Sequence, residues 1–255
     1  MVAVVLLLCR MPAAHGAQEY EPIALTVLAD DSLALPLSAI VRDYSATSKH
    51  PITLVLAPVK EHAQHIVEGD PADVLITPQP QWIEQMRQQG LLDAYTDQVI
   101  AYNRLALLGS VRDWSEVTLS PSLPIMLRQH PQTPVVFIGN PESIASGDTA
   151  LETLRTMDVM QDVEPFWSFV DDSAYMVRML EHPGNFALAF ASLAHHAQHV
   201  HVFGTARDRD GTHATIPYRA VVVAGEHMDV ARHFIHYLNT PEARTQFSRY
   251  GLDVP

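Results

Sequence analysis

The stretch IALTVLADDSL, residues 23–33, begins as a near-continuous apolar run and stops abruptly at two aspartates and a serine. Leu33, Leu37, Ile40, Val41 and Tyr44 then recur at helical spacing, and ITLVLA (52–57) forms a second apolar run. Strand, helix and strand in that order define a β-α-β unit, and strands apolar on both faces belong to a parallel sheet covered on both sides. Ser32 stands where a helix N-cap is expected, and Pro36, about four positions further on, predicts a distorted first turn.

The alternation continues outward. A short helix is expected over 61–68 with Gly69 after it, a strand over 72–77, and a helix opening at Pro80 and closing at Gly90. Further strands are read at 104–109, 134–141, 186–192 and 218–225. Helices are read at 148–157 and 173–181, in the amphipathic VARHFIHYLN, and from Pro241 to Tyr250. The fold class is therefore α/β, two segments joined by two strands. The loop 204–217 is the most polar stretch, and no internal repeat is visible.

Composition narrows the function. With 47% hydrophobic and 18% charged residues the chain can build a sizeable core. The formal charge of −13, with its 16 basic residues scattered, excludes nucleic acid as a partner. Local amides and hydroxyls can still hold a small anion. The apolar run Val2 to Leu8, followed by Ala14 and Gly16, reads as a signal peptide over residues 1–16. Its removal takes away the only cysteine, so neither a cysteine nucleophile nor a thiolate metal site is expected. The common nucleotide-binding, serine-hydrolase and zinc-protease motifs are missing.

Two groups of residues carry chemistry. HHAQHVH (195–201) offers His195 and His199 at i, i+4 on a helical face, a zinc candidate that supports a metal-hydrolase reading; an exposed polar face is the competing one. His62 with His65, and His233 with His236, read as helix-surface pairs. The other group recurs where strands end and helices begin: Ser32, the turn Pro58-Val59-Lys60, SIASGD (143–148), DDSA (171–174) and Ser192. Ligands gather at such strand ends in open α/β sheets, although each residue alone is explained by capping.

Taken together, GDPADVLITPQPQWIEQMRQQGLLD (69–93), GNPESIASG (139–147), YRAVVVAG and FIHYLNTPEARTQFSRYGL (234–252) resemble the periplasmic molybdate-binding proteins of ABC importers. The resemblance spans residues 23–252. It implies a two-lobed type II periplasmic-binding-protein fold, a Venus flytrap with mixed sheets and two hinge strands. Lobe one would comprise 22–103 plus 218–255, and lobe two 104–217. It further implies a monomer without cofactor or catalytic activity that passes a small oxyanion to an inner-membrane permease.

By the same resemblance Ser32 occupies the first ligand-serine position, Val59 the second with Lys60 beside it, and Ser146 and Ala174 the amide-donor positions. Ser192 falls at the tyrosine position. The family has alanines where this chain has Asp30 and Asp31, and a carboxylate a few ångströms from a dianion opposes its binding by several kcal/mol. Three readings follow. An oxyanion still binds, with an aspartate as cap and Lys60 restoring the charge. Alternatively, an aspartate accepts from a hydroxyl-bearing, protonated or amine ligand, with Asp31 as the specificity-changing residue. In the third, the site has lost its solute and the protein serves as a sensor or interaction module.

Overall fold

The computed structural model describes residues 22–93, 95–113, 117–195, 197–207 and 214–255. The expected signal segment and His196 lie outside the described residues. The chain runs β1 (Leu25–Ala29), a 3-10 turn (Asp31–Leu33), α1 (Ala34–Ser48), β2 (Ile52–Leu56), α2 (Val59–Glu68), β3 (Val74–Thr77), α3 (Pro80–Gln88) and β4 (Gln98–Asn103). There follow β5 (Leu105–Ser110), α4 (Leu123–Gln129), β6 (Val135–Gly139), α5 (Ala145–Thr156), α6 (Met160–Val163), β7 (Trp167–Val170), α7 (Ser173–Met179) and β8 (Asn185–Phe190). Two further 3-10 turns (Glu164–Phe166, before β7, and Ala191–Ala194), β9 (Val200–Thr205), β10 (Ile216–Val222), α8 (Met228–Leu238) and α9 (Pro241–Arg249) complete it.

The strands form two five-stranded mixed sheets, ordered β2-β1-β3-β10-β4 and β7-β6-β8-β5-β9. In the first, β1 is parallel to β2 and β3, while β10 is antiparallel to β3 and β4. In the second, β6 is parallel to β7 and β8, while β5 is antiparallel to β8 and β9. The chain passes from the first sheet to the second at Arg104, between β4 and β5, and returns between β9 and β10.

Both sheets are covered on both faces. Leu25, Val27 and Ala29 of β1 join a core with Leu37 and Ile40 of α1, Phe234 of α8 and Phe247 of α9, whereas Leu28 packs oppositely with Ala63, Ile66 and Met86. That explains why the opening stretch shows no polar alternation. The second sheet has the same arrangement, with Val136, Ile138 and Leu188 against Leu127 and Leu154 on one face and Phe137 and Ala187 against Met176 and Leu180 on the other.

Local expectations met several corrections. The N-cap after β1 is Asp30, whose side chain accepts from Ser32 N, and not Ser32. A 3-10 turn precedes α1, so Pro36 falls in the first helical turn, where no intrahelical acceptor is lost. Helix α5 begins at Ala145, three residues before the position read from the sequence, which puts Ser146 inside its first turn. The small residues there allow close approach: a Cβ on Gly147 would stand 2.1 Å from the Gly139 carbonyl oxygen at the tip of β6. His195 follows a 3-10 turn and Val200 opens a strand, so His195 and His199 share no helical face. His62 is fully buried rather than on the helix surface, with Nε2 2.9 Å from the Ala29 carbonyl oxygen.

Because backbone cannot move aside as a side chain can, Gly147→Ala is expected to cost about 3 kcal/mol, at the upper end of overpacking penalties. Urea unfolding monitored by circular dichroism measures this, and a loss below about 1 kcal/mol, the typical lower bound for such changes, would contradict the contact.

Candidate functional site

The parallel strands of both sheets direct their carboxyl ends at the space between the sheets, and Asp30 follows β1 there. Its backbone N–H donates to Ile76 O at 3.1 Å, continuing the pairing with β3, and its carbonyl accepts from Leu33 N at 3.1 Å. The side chain is 1% exposed. Its Oδ1 accepts from Ser32 N at 3.1 Å and from Ser32 Oγ, while Oδ2 accepts no hydrogen bond among the described residues.

A hydroxyl carries one proton. With Ser32 Oγ donating to Asp30, the 2.6 Å contact between Ser32 Oγ and Tyr218 OH is filled by the tyrosine proton. Tyr218 OH in turn lies 3.4 Å from Asn103 Nδ2, which also donates to Ser192 Oγ at 2.8 Å. Asn103 Oδ1 accepts from Arg104 N at 2.9 Å. An oriented chain of donors thus runs from the end of β4 through β10 to Asp30. It spends the Ser32 proton that the resemblance assigned to a ligand, and in it Ser192 Oγ accepts from Asn103.

Burial pushes the Asp30 carboxyl up to about 7, with the neighbouring Asp31 charge adding and the two Ser32 bonds opposing. Burial likewise raises the Tyr218 hydroxyl, with the Asp30 charge adding. Asp31 is raised too, by burial first. Behind the strand, burial lowers His62, so a neutral imidazole supports the Ala29 carbonyl.

Two hollows flank this turn. The first, about 160 Å³, is lined by Asp30, Val59, Lys60, Gln79, Trp82, Glu142, Ala145 and Asp148 among others. The second, about 150 Å³, is lined by Asp31, Ser32, Ser173, Ser192 and Tyr250 among others. The structure therefore divides the residues singled out in the sequence. Val59 and Lys60 face the first with Asp30, and Ser146 sits beside Ala145 in the first turn of α5. Ser32 and Ser192 face the second with Asp31. Ala174 lines neither, and its amide donates to Asp172 Oδ1 at 2.7 Å. The buried carboxyl in the first hollow is that of Asp30; Asp31, named above for specificity, is exposed.

Lys60 Nζ is paired with Glu142, and Gln79 Nε2 donates to Asp148 Oδ2 at 2.9 Å, so two side-chain links cross between the halves at the first hollow. The Lys60 ammonium thus lies on Glu142 and not on Asp30. Sequence reasoning missed Tyr218 and Asn103: nothing in YRAVVV or QVIAYN marks a residue whose partner is more than 80 positions away. Among the described residues no group of three or more His, Cys, Asp or Glu is placed to hold a metal ion, and His199 Nε2 lies 2.9 Å from Val177 O. No helix among them is long and apolar enough to cross a membrane.

Two mixed sheets of the same strand order, with a hollow at their facing strand ends, define a two-lobed binding protein. Residues 25–253 match the bacterial extracellular solute-binding protein family, and the chain belongs to it. It is 22% identical over 234 residues to the molybdate-binding protein ModA of Escherichia coli (strain K12), covering 90% of this chain and 89% of the relative. Among solved structures, the periplasmic molybdate-binding protein of Azotobacter vinelandii superposes with a TM-score of 0.71 at 14% identity, over 91% of this chain and 99% of that one. Iron-bound HitA from Pseudomonas aeruginosa gives 0.70 at 17% identity, over 92% and 89%.

A carboxyl with a folded pKa of about 7 against 3.8 when unfolded binds its proton more tightly in the folded state. Its contribution is fully present below pH 4 and lost as pH rises through 7, on the order of 4 kcal/mol at 1.36 kcal/mol per pH unit. The stability of the wild type minus that of Asp30→Asn, from urea titrations, is therefore expected to fall between pH 4 and pH 8. A difference independent of pH would show that Asp30 is not the buried titrating group.

Proposed function

We propose that the chain is the periplasmic receptor of an ABC importer, a monomer that captures one small polar solute between its lobes and presents the closed form to an inner-membrane permease. It performs no chemistry on the solute. The observation that carries this reading is the first hollow, where the starts of α2 and α5, one from each lobe, meet around the Asp30 carboxyl. Membership of the solute-binding family and the molybdate-binding relatives support it.

Closure follows from geometry. A solute touching α2 and α5 together interacts with both lobes only when they are near, so it favours the closed state by its differential affinity. The Arg104 crossing and the segment between β9 and β10 are the connections about which the lobes turn. The exposed Lys60–Glu142 pair adds little by itself, about 0–1 kcal/mol, and acts as a rim contact that a solute reinforces.

A thermal-shift panel of molybdate, tungstate, sulfate, phosphate, phosphonates, small amines and amino acids tests the reading. At 100 times the dissociation constant a bound solute stabilises by about 2.7 kcal/mol, which for a chain of this size raises Tm by roughly 5–10 °C. A panel in which no compound shifts Tm would leave the sensor or interaction reading in its place.

A further inference from the structure

The first hollow presents two opposite kinds of group, and their combination narrows the solute, an inference that rests on the receptor reading above. The first two amides of α2, Val59 and Lys60, and of α5, Ala145 and Ser146, find no acceptor among the described residues. Neither helix has a side-chain cap. Helices of ten and twelve residues each present about half a positive charge at such ends, enough together to hold one acid group. Ser146 Oγ is buried with no hydrogen-bond partner, a further donor at the same helix start.

Against these stands Asp30. It is 1% exposed, lines the same hollow, and keeps Oδ2 without a donor while Oδ1 holds both Ser32 bonds. A carboxylate so enclosed, with both of its donors on one oxygen, is incompletely solvated by the protein, so a further donor is expected to arrive with the ligand. Lys60 does not supply it, because its ammonium sits on Glu142. Glu142 and Asp148 add two more carboxylates to the lining. A bare tetrahedral dianion fills the amides but brings no hydrogen for Oδ2 and meets three carboxylates against one ammonium. A simple amine satisfies Asp30 and leaves the four amides empty.

We propose that the hollow takes a small zwitterion, its acid group on the open amides of Val59, Lys60, Ala145 and Ser146 and its ammonium on Asp30 Oδ2. The volume of about 160 Å³ agrees with this. A cavity of about 150 Å³ accommodates a ring of six carbons, so a ligand of roughly six to eight heavy atoms fits, the size of a small amino acid or aminophosphonate.

Isothermal titration of the full chain at pH 8 compares glycine, β-alanine, L-serine and aminomethylphosphonate with methylphosphonate, methylamine, molybdate, sulfate and hydrogen phosphate. At least one zwitterion is expected to bind 30-fold or more tighter than methylphosphonate and methylamine, which each lack one end. Asp30→Asn, checked for folding by circular dichroism, is expected to weaken that zwitterion at least 30-fold while weakening methylphosphonate by less than threefold. Tighter binding of molybdate, sulfate or hydrogen phosphate than of every zwitterion would overturn the inference and leave the receptor reading intact. A folded Asp30→Asn variant with unchanged zwitterion affinity would do the same. Absence of binding by all nine compounds would overturn both. The comparison of ligands on the wild type stands even if the variant fails to fold.

Discussion

A carboxyl group buried at the end of a parallel strand has to find hydrogen bonds, and in this protein the search for them organises the cleft. Asp30 is almost wholly enclosed, and an ionised carboxylate removed from water costs several kcal/mol unless it is matched. The match is partial. Ser32 supplies two donors to one oxygen, and Tyr218 and Asn103 stand behind Ser32 so that its single proton faces the carboxylate. The second oxygen keeps no partner among the described residues, and burial, with the Asp31 charge adding to it, pushes the carboxyl up to about 7. A polar chain that extends from Asp30 to Ser192 also ties the two lobes together on the side away from the first hollow.

The two lobes repeat one topology. In each, three adjacent parallel strands end at the cleft, a single antiparallel strand, β10 or β5, follows, and a fourth strand of the first direction, β4 or β9, closes the edge; these last two carry the chain to and from the other lobe. Such an arrangement brings helix starts from both lobes to a common space, since each parallel strand feeds a helix there. It needs no similarity of side chains between the lobes beyond apolar strands covered on both faces. The repeat is therefore clear in strand order and invisible in the sequence.

Specificity and fold make different demands on the same positions. At Val59 the chain keeps a helix start but offers no hydroxyl, and the side chain is buried in the core. At Ser192 it offers a hydroxyl that serves Asn103. The amides of α2 and α5 persist because they belong to the backbone and do not depend on side-chain identity.

The apolar run 23–29, the 3.6-residue period that follows it and the Gly69 and Pro80 punctuation were enough to read the α/β class, most helices and the strand ends at which a solute would lie. These are local signals, set by periodicity and backbone preference. Three short strands, β4, β7 and β9, escaped because they are sheet edges whose pairing is imposed by strands distant in the chain, and the short helices α4 and α6 escaped with them. The same cause hid Tyr218 and Asn103, made His62 a core residue, and buried Asp30 while leaving Asp31 exposed. Adjacent residues in a turn point to opposite sides, and only the packing of the second sheet against the first decides which side is buried. The sequence by itself determined the elements and the strand-end residues from which the cleft is built; tertiary structure decided which polar atoms are spent on one another and which remain open to a ligand, because a hydrogen bond across 186 positions has no local signature.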